Sequence, residues 1–436
     1  MSDVKHPTHA GTLRRFKAYP AYKDSGVEWL GKVPTHWNVS RISEVTTLLN
    51  GYPFDSEYFM RGEGTPLVRI RDLNGVETEV NYSGPVIESA WIQPGDVIIG
   101  MDGDFNVARW RGQRALLNQR MCCLRPRGGT ESGFIAYILP LPLQVINDLT
   151  YSTTVKHLSS GDVRQIRLGA PTEAEQLAIA AFLDRETERI DGLVANKERL
   201  IELLQEQRTA LITRAVTKGL DPNVRMRNSG VEWLGEIPVH WEVKKAKRLF
   251  RQTKRQGHPD LTVLSVYRDF GVIEKSSRDD NFNRTPENLD VYQIVKLGDL
   301  VINKMKAWQG SLGVSSHSGI TSPDYVVYAP SHAENGRFLH YFLRNKLLTN
   351  VYLTMSNGIR PSQWRLEPER FEGLSVFVPP LAEQERIADF LDHETSRIDA
   401  LVAKVREAID RLQELRTALI SAAVTGKIDV REVATP

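Results

Sequence analysis

Between residues 172 and 217 apolar side chains return with a seven-residue beat: Leu183, Ile190, Leu204 and Leu211 form one stripe, interrupted once by Lys197. Leu193, Val194, Leu200 and Ile201 widen the same face. That spacing predicts a long amphipathic helix. Pro171 stops any earlier helix, and Thr172 with Glu175 reads as a capping box whose hydroxyl and carboxylate satisfy the first backbone donors. The stripe recurs 208 residues later (391 − 183) as Leu391, Ile398, Val405, Leu412 and Leu419, supported by Leu401, Val402, Ile409 and Leu415. Gly219 and Gly426 stand where C-terminal caps belong. Helices of about 45 residues would be roughly 68 Å long, too long for the interior of a compact domain. Each stripe therefore needs a cover, and the other copy is the nearest one available. The first helix leads from one globular region to the next, so a second helix packed on it must run back, antiparallel. Two separate bundles are the alternative.

The rest of the chain is duplicated as well. Ser-Gly-Val-Glu-Trp-Leu-Gly at residues 25–31 returns unchanged at residues 229–235, an offset of 204 (229 − 25). Pro34, His36 and Trp37 match Pro238, His240 and Trp241, and Glu175-Gln176 faces Glu383-Gln384. Gly95-Asp96 followed by Val97-Ile98-Ile99 faces Gly298-Asp299 followed by Leu300-Val301-Ile302. Between these shared frames the copies diverge, which suggests one scaffold reading two different things. Short apolar runs at residues 96–99, 121–124, 299–302 and 325–328, bounded by Gly, Pro, Asn and Asp, predict strands. Helical pieces are expected at residues 131–139 and 335–348. Trp29, Trp37, Trp233 and Trp241 recur and are expected to pack each globular region onto the helices.

Composition narrows the class without naming a chemistry. A chain of 436 residues suits two or three domains, and 41% hydrophobic with 25% charged residues is ordinary for a soluble protein. No apolar run approaches the roughly 20 residues of a membrane span, and the first residues lack a signal peptide's hydrophobic segment, so a cytoplasmic location is expected. The adjacent pair Cys122-Cys123 cannot staple distant segments and reads as part of a buried strand in a reducing compartment. A net charge of +2 does not announce a nucleic-acid binder, so any such activity must come from local patches.

Catalytic patterns are missing. Neither GxxxxGK[ST] nor GxGxxG after a strand occurs, which removes the usual phosphate cradles. Ser322-Pro323-Asp324-Tyr325 is similar to the [DNS]PP[YF] loop of amino-methyltransferases, but aspartate replaces the second proline, and a turn into a strand is the simpler reading. His6 and His9 lie in a tail without further ligands. Asp102-Gly103-Asp104 reads as a turn before it reads as a cation site. No catalytic, cofactor-binding or metal-binding residue is assigned.

With repeats, seams and absences together, the chain over residues 25 to 425 or so resembles the specificity subunit of type I restriction-modification enzymes. The resemblance rests on the twice-used Ser-Gly-Val-Glu-Trp-Leu-Gly with Pro-x-His-Trp. It rests also on Ala174-Glu175-Gln176 and Leu381-Ala382-Glu383-Gln384-Glu385, and on Ile190-Asp191 and Ile398-Asp399. Residues 303–310, Asn-Lys-Met-Lys-Ala-Trp-Gln-Gly, look like one recurrent class of that family's target recognition domain. The fold class implied is mixed α/β (α+β): two pseudo-symmetric globular target recognition domains separated by two long antiparallel coiled-coil helices. The expected division is a tail at 1–24, a first recognition domain at 25–170, a spacer helix at 171–219, a second recognition domain at 220–378, a second helix at 379–425 and a tail at 426–436. The resemblance implies a non-catalytic subunit that reads a split, asymmetric double-stranded DNA target. It further implies two docked methyltransferase subunits and two restriction subunits, with S-adenosylmethionine, ATP and magnesium belonging to those partners. A coiled-coil assembly scaffold that binds no DNA is the alternative.

Comparing the copies with each other sorts candidate contacts. Shared positions are expected to be scaffold, and Arg71-Asp72 with Arg268-Asp269 falls in that class. The loop after the Gly-Asp turn differs: residues 101–111 contain Asn106, Arg109 and Arg111, and the second copy has Lys304, Lys306, Trp308 and Gln309. Such side chains suit base-edge hydrogen bonding, though a solvated charged hairpin would look the same. Lys156 and Arg360 match across the copies and suit phosphate contacts. Lys254, Arg255, Arg114 and Arg120 are weaker candidates of that kind. Leu183, Ile190, Leu204, Leu211, Leu391, Ile398, Leu412 and Leu419 are assigned to helix packing.

Overall fold

The structure is a computed structural model, and it describes residues 16–73, 75–149, 156–278, 285–286, 288–358 and 364–432. The chain forms two compact units, one from residues up to 197 together with those from 407 onward, the other from residues 198–406. No helix among the described residues is long and apolar enough to cross a membrane.

In unit 1 the strands β1 (Thr46–Asn50), β2 (Val97–Gly100), β3 (Val107–Arg109) and β4 (Met121–Pro126) form an antiparallel sheet in the order β3-β2-β4-β1. Alternate residues point to opposite faces of a strand. Val97, Ile99, Cys122 and Leu124 therefore enter one core, with Trp37 and Phe134, while Ile98, Met121 and Cys123 enter another, with Val68 and Trp110. With both faces covered, β2 and β4 read as unbroken apolar runs. Both cysteines are free and buried, and burial pushes the Cys122 thiol up to about 12. Helix α1 (Ser132–Ile138) starts at Glu131, whose carboxylate accepts from Gly133 N, and it buries Phe134, Ile135 and Ile138. The long helix α2 (Glu173–Lys218) follows, and its two halves belong to different units.

Unit 2 repeats the plan. Strands β5 (Phe250–Thr253), β6 (Leu300–Asn303), β7 (Leu312–Val314) and β8 (Tyr325–Pro330) take the order β7-β6-β8-β5, antiparallel throughout. This is the unit 1 order, strand for strand. Leu300, Ile302, Val326 and Tyr328 face one core and Val301 and Val327 the other. Helix α3 (Gly336–Arg344) is capped by the Asn335 side chain. Helix α4 (Leu381–Val424) closes the described fold. The divergence lies outside this frame. Unit 1 carries a five-stranded sheet around Thr65–Val68, whereas unit 2 has two small antiparallel pairs, the hairpin Leu264–Tyr267 with Gly271–Glu274 and the pair Gln293–Val295 with Gly319–Thr321.

The helical seam forms within each unit. In unit 1 Leu183 and Ile190 of α2 are buried with Leu419 and Val424 of α4, and Leu412 and Leu415 pack against them. Arg416 bonds Asp191, while Glu175 and Gly426 both approach Trp37, so the two segments are antiparallel. In unit 2 Arg208 pairs with Asp399 and Gly219 lies beside Glu383, again antiparallel. There Leu211, Ala215 and Val216 meet Ile387 and Leu391, and Ile398 is buried. Leu204 is half-buried. The expected widening of the stripe does not occur everywhere, because Leu193, Leu200 and Leu401 stay 37%, 43% and 40% exposed. They flank the seam rather than fill it. Gly219 and Gly426 end the helices with φ +74° and +70°, the left-handed region that favours glycine.

Candidate nucleic-acid interface

Each globular region is locked to the helices by the recurring motifs. Glu175, at the start of α2, accepts at Oε1 from Tyr19 OH (2.6 Å) and Trp37 Nε1 (3.0 Å), and its Oε2 lies 3.0 Å from His36 Nε2. Glu383 does the same at α4, with Trp241 Nε1 at 3.3 Å and His240 Nε2 at 2.7 Å. The Glu175 carboxylate, expected to complete a capping box with Thr172, points instead at the domain. The capping geometry yields because two buried groups, the Tyr19 hydroxyl and the Trp37 indole, and the exposed His36 ring offer it partners. The following glutamines repeat the logic: Gln176 Oε1 accepts from Glu131 N (2.9 Å) and Gln384 Oε1 from Asn335 N (2.8 Å). Tyr137 OH donates to Asp184 (2.8 Å) and Tyr341 OH to Asp392 (2.7 Å). Trp37 and Trp241 are buried, and Trp29 and Trp233 pack beside them.

The Gly-Asp turns are scaffold too. Asp96 accepts from Gln93 N and from Arg125 (2.7 Å), and Asp299 accepts from Lys296 N and from Arg255 (2.6 Å). Burial pushes the Asp299 carboxyl up, with Arg255 opposing it. Arg255 therefore leaves the list of phosphate contacts. Arg114 lies over the Trp91 ring at 4.1 Å, and Lys254 is exposed.

What remains at the sheet ends is unlike in the two units. Residues 101–111 of unit 1 are a hairpin rather than one loop, since β3 occupies its centre. Asn106 is exposed at the tip, joined to β2 by its carbonyl accepting from Gly100 N (2.8 Å). Arg111 is exposed at the other end of β3, beside the Gly-Asp turn. Arg109 faces the helix, where its Nη2 bonds Asp184 at 2.9 Å; it is a tether, which corrects its assignment to readout. Lys156 comes to the tip from a distant segment: its carbonyl accepts from Gly103 N (3.1 Å), and its Nζ donates to the Asn147 carbonyl and Oδ1, both 2.6 Å. Neutral acceptors leave its charge in place. Asp102, at the same turn, is taken by His157 Nδ1 (2.8 Å) and Arg120 (3.5 Å).

In unit 2 the turn between β6 and β7 holds Lys306 and Gln309 exposed and Lys304 and Trp308 half-buried, with Ala307 as the buried anchor. Gly310 closes it at φ +91°. Here the structure brings in residues that no local pattern indicates. Leu366 N donates to the Lys304 carbonyl (2.9 Å), Arg365 approaches Met305 Sδ (3.1 Å), and Trp364 meets Trp308 edge-on with centroids 5.3 Å apart. Only an aromatic in a polar loop could have hinted at Trp364. Arg360 lies outside the described residues, as do His6 and His9.

The Arg-Asp pairs are not equivalent. Asp72 is buried and caps a turn by accepting from Arg69 N (2.9 Å), whereas Arg268 and Asp269 pair with each other on the surface. Sequence likeness hid two different jobs. Ser322-Pro323-Asp324 is a turn into β8, with Tyr325 N donating to the Ser322 carbonyl (3.1 Å).

Two equal frames with unlike exposed tips define a tandem recognition scaffold. The model of the type I restriction modification DNA specificity domain matches residues 34–203 and 238–411. Those matches take in well over half of the chain, which belongs to this family and is a specificity subunit rather than a DNA-free coiled-coil adaptor. The type I restriction enzyme EcoBI specificity subunit of Escherichia coli is 25% identical over 434 residues, 93% of this chain and 89% of that protein. The MjaVIII specificity subunit of Methanocaldococcus jannaschii is 21% identical over 439 residues, 92% and 95% of the two chains. A chain solved in work on assembly and conformational transition of the type I R-M system superposes with a TM-score of 0.67 at 15% identity, covering 90% of this chain and 98% of that one. The HsdS subunit of Thermoanaerobacter tengcongensis gives 0.52 at 17% identity, covering 91% and 98%. At such identities the likeness is one of fold.

Proposed function

We propose that each unit reads one half of a split, asymmetric DNA target, unit 1 through its hairpin tip with Asn106 and Lys156, unit 2 through Lys304, Lys306, Trp308 and Gln309. One observation carries this reading: the four-stranded sheets of the two units agree strand for strand and the Trp, His, Gln and Tyr anchors to the helices recur, while the exposed tips differ. A scaffold that needed both tips only for folding would have kept them alike. Lys156 suits a phosphate contact that sets register, and the tip residues suit base edges. In this reading the chain is non-catalytic and cytoplasmic. Two methyltransferase and two restriction subunits supply the chemistry, with S-adenosylmethionine, ATP and magnesium bound by them.

The test is single-molecule methylome sequencing of cells carrying the methyltransferase partner with and without this chain. A bipartite motif that depends on the chain is expected. Lys306→Ala should relax or weaken one half-site while the other is untouched. Unchanged preference at every position would remove the 304–309 turn from the reading surface.

A further inference from the structure

Among the described residues, two non-glycine positions have positive φ: Phe105 at 51° and Arg120 at 69°. Side-chain-bearing residues rarely adopt this region, and where they do the surroundings hold them there. Both flank the same hairpin tip of unit 1. Phe105 buries its ring in the unit 1 core and so anchors the tip. Arg120 immediately precedes β4, and its carbonyl accepts from Met101 N (2.9 Å), which ties the backbone of the 118–120 turn to the start of the tip. The strain thus orients a residue whose side chain is 62% exposed.

The guanidinium is steered rather than neutralised. Its Nη1 stands 3.5 Å from Asp102 Oδ1, and Asp102 is itself held by His157 Nδ1 at 2.8 Å. No hydrogen bond among the described residues engages Nε or Nη2 of Arg120. That edge is a planar two-donor fork, the shape that matches O6 and N7 of guanine. The second unit supplies a contrast. Its sheet places Asp324 where unit 1 has Arg120, 204 residues on (324 − 120), also exposed and also just before a β4-type strand. A position that carries opposite charges on equal frames is not kept for folding.

We infer that Arg120, steered by Asp102, is a specificity-determining residue that reads a guanine in the half-site of unit 1. The inference rests on the proposal that unit 1 reads DNA. Its test uses the complete chain assembled with its methyltransferase partner, carrying Arg120→Gly or Arg120→Lys, with methylation rates measured on duplexes varied at each base pair of both half-sites. Glycine accepts the left-handed backbone, so Arg120→Gly should not lower the melting temperature. It should erase discrimination at one G·C pair by roughly 10-fold to 100-fold, the range of one bidentate contact, and leave the unit 2 half-site as it was. Arg120→Lys, whose ammonium can still donate to O6 and N7 but not as a rigid planar fork, should keep only part of the discrimination. Replacing the guanine by 7-deazaguanine should slow the wild-type complex and not the glycine variant. Full discrimination in both variants would overturn the assignment. So would a uniform loss on all sequences with a salt slope lower by about one, the mark of a phosphate contact. If DNA methylation did not depend on this chain at all, the underlying proposal would fall first, and that control separates the two failures.

Discussion

Glu175 shows how much one side chain can carry. It is nearly fully buried and serves Tyr19, Trp37 and His36 at once. Glu175→Ala leaves an indole N–H and a phenol buried without their acceptor, at a cost of about 3 kcal/mol, read as a lower urea midpoint. Glu383→Ala, with a longer indole bond and no tyrosine, should cost less. His340 gives a pH signature. Its Nε2 accepts from Arg344 Nη1 (2.7 Å) and its Nδ1 donates to the Val314 carbonyl (3.0 Å), so the ring is neutral, and burial with the Arg344 charge pushes its pKa down to about 4. The unfolded chain, with an ordinary value near 6.5, then binds the extra proton between pH 4 and 6.5. Stability contributed by the neutral ring is complete above pH 6.5 and declines as pH falls towards 4. A urea midpoint that falls more steeply over that window in the wild type than in His340→Gln would bear this out; parallel curves would refute it.

At the scale of elements, the seam is uneven. Leu391 is fully buried against Val216 and Ile387, so Leu391→Ala should cost about 3 kcal/mol in thermal or urea unfolding, whereas Leu200→Ala, 43% exposed, should cost less than about 1. The Asp191–Arg416 pair is surface-exposed, and a double-mutant cycle should return about 0.5 kcal/mol or less. Direction and register of the helices thus come from the buried leucines and the domain anchors, with the ion pairs as minor terms. The seven-residue beat made the seam visible along the chain. It could not separate the seam positions from those flanking them: Ile190 is buried in the cluster that holds Leu412 and Leu415, while Leu193 and Leu200 stay exposed.

For the whole molecule, duplication with divergence makes specificity separable. Exchanging residues 241–378 for the corresponding region of another family member should change one half of the methylated motif and leave the other, as read by methylome sequencing. A change in both halves would mean that the units do not read independently. DNA binding by the assembled complex should weaken with salt, and Lys156→Ala should reduce the slope of log affinity against log salt by about one without altering sequence preference.

Much of the architecture was legible along the chain. Two copies, two long helices, the two central strands of each four-stranded sheet and the buried tryptophans follow from periodicity and repetition, because burial on a helix or strand imposes a period that survives in sequence; the outer strands, partly exposed or only three residues long, leave no such mark. The candidate contact residues did not follow in the same way. Arg109 turned to Asp184, Arg255 to Asp299, the recurrent Arg-Asp pairs took different roles, and Lys156, Trp364 and Arg365 reached their tips from far along the chain. Whether a guanidinium meets a carboxylate or stands free depends on contacts between residues distant in sequence, and those exist only once the chain has folded.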